Sequence, residues 1–179
     1  MANIDSPMGL RAIGNGTGGT APRLTKYVRT TTTAVIYEGS PVQAPADLQM
    51  MTAATGATDD PGFVGVASHY VAIGETDVYV YDDPEQEFLI QGDDAVTTPV
   101  GDVGMYANVI NGNAGSATTL QSTCELDTST SSLTDADGSF LQIMRLWHAE
   151  DNDQDAANAK WVVKFQNRAH IFGSNVASA

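Results

Sequence analysis

The chain has 179 residues, enough for one full-sized domain that buries a core without help from a disulfide or a metal. Hydrophobic residues make up 42% and charged residues only 17%, and the polar remainder is rich in Thr, Ser, Asn and Gly, a composition that suits a β-rich fold and not a helical one. Acids outnumber bases 22 to 8, and a formal net charge of −14 sets the surface against nucleic-acid backbones and anionic membranes.

Residues 1–24, beginning MANIDSPMGLRAIGNGTGG, form an extended N-terminal arm in this reading. The segment is rich in glycine, has little periodicity, and cannot offset its ordering entropy alone. Met8, Leu10 and Ile13 are apolar, so the arm is expected to dock, either on a partner or on the protein's own core. The texture changes at Lys26. TKYVRTTTTAVIYEG (25–39) is dense in β-branched and aromatic residues, EGSPV (38–42) reads as a turn into a short strand, and LQMMTA (48–53) is a further apolar run. ATGATDDPG (54–62) is turn chemistry, and FVGVASHYVA (63–72) is a strand.

DVYVYDDP (77–84) alternates, with Val78 and Val80 on one face and Tyr79 and Tyr81 on the other. EFLIQG (87–92) follows the Asp-Asp-Pro turn, which the spacing predicts as a hairpin-like connection with a solvated acidic tip. GMYANVI (104–110), ATTLQS (117–122), SFLQIMRLWH (139–148) and KWVVKFQNR (160–168) complete the strand-like set. STCELDTSTSSLTDADGS (122–139) reads as a long surface loop, and EDNDQDAANAK (150–160) carries no apolar stripe beyond a short helical turn. The expected fold is mainly β: a single β-sandwich or β-barrel over residues 25–172, with the arm before it and a short C-terminal tail at 173–179.

The chemistry-bearing residues give no case for an enzyme. Asp151, Asp153 and Asp155 have the first spacings of an EF-hand loop, but Ala156 stands where the turn needs Gly and Val162 where it needs a bidentate Glu. GNGTGG (14–19) matches a dinucleotide fingerprint only in its glycines, since Pro22 and no helical pattern follow. Cys124, the single cysteine, can form no intrachain disulfide and has no activating base near it in sequence. His69, His148 and His170 lie within or beside strand-like runs and are expected to be structural. No cofactor or metal is expected, although a weak Ca²⁺ site at Asp151–Asp155 or Asp135–Asp137 stays open. The sequence shows no secretion signal at its N-terminus and no apolar stretch of about 18 residues, so a cytoplasmic protein, or one released by lysis, is expected.

Four segments carry a resemblance. MANIDSPMGLRAI resembles the start of a group of tailed-phage virion proteins that begin Met-Ala-Asn and continue Asp-x-Pro-x-Gly-Leu. YEGSPVQ (37–43) is similar to that group's Gly-Asp-Pro-Val turn, with Ser40 where Asp is usual. VYVYDDPEQEFLIQGDD is similar to its Asp-Asp-Pro strand pair, and NDQDAANAKWVVKFQNRAHIFG (152–173) to its closing Asn-Ala-Lys-Trp segment. Residues 105–139 depart most from the pattern. The resemblance implies a head decoration (cement) protein. Such a protein binds the outer surface of an assembled capsid through the major capsid protein, self-associates as a dimer or trimer, and uses no catalytic residues. The arm residues Met8, Leu10, Arg11 and Ile13 are the expected partner contacts. Two other classes remain as alternatives: a tail- or fibre-associated β module binding host glycans, and a Ca²⁺-dependent β module.

Overall fold

A computed structural model describes residues 3–15, 22–29, 33–43, 49–50, 62–93, 103–129, 139–153 and 156–166. Strands are, in chain order, β1 (Arg11–Asn15), β2 (Leu24–Val28), β3 (Pro41–Gln43), β4 (Gln49–Met50), β5 (Phe63–Ala67), β6 (Asp77–Tyr81), β7 (Gln86–Gln91), β8 (Tyr106–Ala107), β9 (Val109–Ile110), β10 (Glu125–Leu126), β11 (Leu141–Leu146) and β12 (Lys160–Phe165). One five-stranded sheet has the order β1-β7-β12-β11-β8, a second has the order β2-β6-β5-β3-β4, and β9 and β10 form a small ribbon. All pairings between these strands are antiparallel. The described residues contain no helix, and the mainly β, sandwich-like fold expected from the sequence is the fold observed.

Period-2 alternation explains which side chains fill the core. Phe88 and Ile90 of β7, Leu141 and Ile143 of β11, and Trp161, Val163 and Phe165 of β12 turn toward Phe63 and Val66 of β5, joining the two sheets. Phe63 stacks on Phe140 with ring centroids 4.4 Å apart, and Phe165 meets Phe88 edge-on at 5.7 Å. The opposite face of the second sheet is buried too. Val42, Val64, Val78 and Val80 pack there under Ile36 and Val71, which come from segments that bridge to each other at this face. Arg29 closes this second core. Its buried guanidinium donates to the carbonyls of Ala34, Ala72 and Glu75 at 2.7, 2.8 and 2.9 Å.

Three sequence expectations are corrected. First, β6 and β7 belong to different sheets, so Asp-Asp-Pro is a corner between layers and not a hairpin. Alternation identifies two strands but not which neighbour each one pairs with. Second, ATTLQS is no strand. Residues 117–119 turn under the Ser116 hydroxyl, which accepts from Thr118 N and Thr119 N, and Leu120 takes a left-handed φ of 60°. Third, 122–129 is not a surface loop, because Ser122, Cys124, Leu126 and Thr128 are all buried. The remainder of that segment, 130–138, lies outside the described residues, as do the strand-like ends 51–53 and 167–168 and the C-terminal tail.

Candidate interaction surface

Residues 3–10 are built into the domain. Asn3 grips the β11–β12 connection: its Nδ2 donates to the carbonyls of Asp153 and Ala157 at 2.8 and 2.9 Å, and its Oδ1 accepts from Asp153 N at 2.7 Å. Ser6 N donates to Gln91 Oε1, and Gln91 Nε2 contacts Asp5, Glu125 and Asn158 in turn. Gly9 takes φ +67°, where a Cβ would lie 2.8 Å from Ser122 Cβ and 2.9 Å from Gly39 O, so only glycine lets the chain through. Leu10 then donates its N–H to Gly39 O at 2.9 Å and enters the inter-sheet core. From Arg11 the chain pairs with β7 as an edge strand, bulged between Ala12 and Gly14.

The four expected contact residues therefore separate. Leu10 is 2% exposed and a core residue of this fold, so it presents no surface to a partner. Met8 is half-buried, while Arg11 and Ile13 are exposed on the outer side of β1. Of the two docking options for the arm, residues 3–15 take the protein's own core.

The acidic corner is only partly solvated. Asp82 continues the inward face of Val78 and Val80 and is fully buried. Its Oδ2 accepts from the Tyr27 hydroxyl at 2.7 Å, and its Oδ1 lies 3.3 Å from Arg23 Nε without a directed hydrogen bond. Burial, reinforced by the bond to Asp82, pushes the Tyr27 hydroxyl far above its ordinary value. Glu87 is buried against Arg145 at 2.8 Å, while Glu85 is exposed and meets Lys164 at 3.3 Å. Lys26 pairs with Asp77 at 2.8 Å and Lys160 with Asp151 at 3.0 Å, each bond raising the lysine in the first pair and lowering the aspartate in the second. Most described cations are thus matched to an acid within the chain.

No protein-family model, curated protein or solved structure matches the chain.

Two surfaces remain as candidates for contact. The first is the face shared by β2 and β6. Leu24, Lys26 and Val28 alternate outward and lie across from Tyr81, Tyr79 and Asp77 in register. Leu24, Val28 and Tyr79 are 51%, 65% and 42% exposed, and the His69 ring meets Tyr79 edge-on at 5.5 Å. The second is a shallow open groove at the end of β11, lined by Trp147, His148, Glu150 and Asp153. Alternation in the sequence sets Tyr79 opposite Val78 and Val80 but gives no sign that Val28 and Leu24 share a face with it.

No group of three or more His, Cys, Asp and Glu side chains suited to a metal occurs among the described residues. Asp135, Asp137, Asp155 and His170 lie outside them. Cys124 is fully buried, and burial pushes its thiol up to about 11, so it is no nucleophile at neutral pH. His69 has Ser68 Oγ 3.4 Å from Nδ1 and the Tyr79 ring beside it, and no orienting acid is bonded to it among the described residues.

Proposed function

We propose that the protein is a decoration protein of a tailed-phage head, binding the outer surface of the assembled shell through the major capsid protein and stabilising it without covalent bonds. One observation carries this reading. The four segments behind the resemblance converge in space. The N-terminal segment touches the second through Leu10 and Gly39, the third through Ser6 and Gln91, and the fourth through Asn3, Asp153 and Ala157. Gly92 N closes the set by donating to Ala159 O at 2.8 Å. These contacts make the four segments one connected framework of the domain, and this supports reading the resemblance across them together.

The surface suits the role. Acid excess keeps unbound copies soluble and apart before they meet a shell. Of the four expected contact residues, Arg11 and Ile13, on the exposed side of the β1 edge, are the two placed to reach a partner. The test is co-sedimentation of the full chain with matching heads that lack it. Saturable pelleting at a stoichiometry commensurate with the shell lattice supports the proposal. Protein remaining in the supernatant overturns it and makes the Trp147 groove the next target, with a glycan array as the probe.

A further inference from the structure

We infer that the groove at the end of β11 takes an arginine side chain of an extended basic peptide segment, its guanidinium flat on Trp147 and paired with Glu150. The groove holds about 570 Å³, room for one long side chain and the main chain beside it.

The loop is set before any ligand arrives. Trp147 N donates to Lys160 O at 3.0 Å, continuing the β11–β12 ladder one residue past the end of β11. Asn152 ties the return. Its Nδ2 donates to the carbonyls of Trp147 and Lys160 at 2.7 and 3.0 Å, and its Oδ1 accepts from Lys160 N at 2.8 Å. Asn3 holds Asp153 from outside the loop. None of these bonds uses the side chain of Trp147 or Glu150. Trp147 follows the buried Leu146, so alternation turns it away from the core, and it is half-buried where the groove opens. Glu150 is exposed, and no described residue bonds to its carboxylate. A loop already fixed in this way lowers the ordering cost of binding.

Charge selects the occupant. Glu150, Asp151 and Asp153 lie within four residues, and the described cation beside them, Lys160, is bound to Asp151 at 3.0 Å. In a chain of formal charge −14, such a loop repels anions and attracts a cation. An indole face is the best ring for a cation. A guanidinium meets both features, since its plane stacks on the ring while its N–H fork pairs with a carboxylate; an ammonium is a point donor with no flat face. A sugar fits less well. No hydroxyl lines the groove, and its one amide, Asn152, is consumed within the loop, so few groups there both give and take hydrogen bonds. On the decoration reading the basic segment belongs to the outer surface of the shell. That assignment of its owner rests on the reading, and the chemistry of the groove does not.

The experiment is fluorescence anisotropy of a dye-labelled Gly-Arg-Gly-Arg-Gly peptide titrated with the full chain, without heads, beside its lysine counterpart. Saturable binding is expected with a Kd between about 10 μM and 1 mM, and the lysine peptide should bind about fivefold more weakly or worse. Glu150→Gln alters an exposed side chain, and it and Trp147→Ala should each weaken the arginine peptide about fivefold or more. Glu85→Gln removes the same charge at the other end of β12, where Glu85 meets Lys164, and should change binding by less than about twofold. The peptide should also shift the tryptophan emission of the wild type but not of Trp147→Ala, because Trp161, the tryptophan that remains, is 1% exposed. Four results would each overturn the inference: no saturable binding, equal affinity for the two peptides, equal losses in Glu150→Gln and Glu85→Gln, or binding of neutral glycans that Trp147→Ala abolishes. None of these outcomes involves heads, so the inference and the decoration role fail separately.

Discussion

Replacing Leu10 with Ala probes whether the N-terminal segment belongs to the core. Leu10 is 2% exposed, packs in the inter-sheet cluster, and is fixed from behind by its bond to Gly39. Removing a buried leucine to the β-carbon costs about 2–5 kcal/mol, from lost transfer energy and the cavity left behind. The site collapses poorly, because Gly9 is already pressed against Ser122 and Gly39 on the preceding residue. A cost of about 3 kcal/mol is therefore expected, which for a chain of this size lowers the melting temperature by about 6–12 °C. The control is Ile4→Ala, six residues earlier and 81% exposed, for which a change within about 0.5 kcal/mol is expected. Thermal unfolding followed by far-UV circular dichroism reads both. Equal and negligible shifts for the two variants would refute the seating of residues 3–10 in the domain.

Arg29→Lys keeps the charge but replaces a three-way fork with a point donor, leaving buried carbonyls among Ala34, Ala72 and Glu75 unmatched; a loss of about 2–4 kcal/mol in urea unfolding is expected. Gly65→Ala puts a Cβ 2.0 Å from Tyr81 O at a φ of +150°, and should leave little soluble folded protein on expression. Stability should fall at alkaline pH. The Cys124 thiol is raised by burial from an ordinary 9.0 to about 11, so its contribution is complete below pH 9 and is lost as pH rises toward 11, about 3 kcal/mol in all. Cys124→Ala should flatten that part of the urea-midpoint-against-pH curve, and the wild-type thiol should resist alkylation at pH 8 until denaturant is added. Arg11→Glu with Ile13→Asp alters only exposed positions on β1; head pelleting should fall about tenfold with the melting temperature held, whereas deleting residues 1–20 confounds binding with folding.

Strong alternation made the main strands legible. Val78 and Val80 inward with Tyr79 outward follows directly from DVYVY, and the runs at 63–67, 86–91, 141–146 and 160–165 are rich enough in β-branched and aromatic residues to stand out. Residues 122–128 escaped because their buried positions are Ser122, Cys124, Leu126 and Thr128, where small polar side chains hide the period. The role of residues 3–10 escaped for a related reason. Asn3, Asp5 and Ser6 are held by hydrogen bonds and Gly9 by close approach, and neither leaves a hydrophobic pattern. Asp82 and Glu87 looked solvated because their cations, Arg23 and Arg145, are 59 and 58 residues away in sequence. Arg29 gave no sign at all, since its acceptors are main-chain carbonyls of ordinary residues.

The most direct test of the decoration role is an electron cryomicroscopy difference map between heads lacking the protein and the same heads saturated with it. The account expects added density of about one β domain per site, outside the shell, at positions repeating with the capsid lattice. Difference density absent from the shell surface, or confined to the tail, would contradict it.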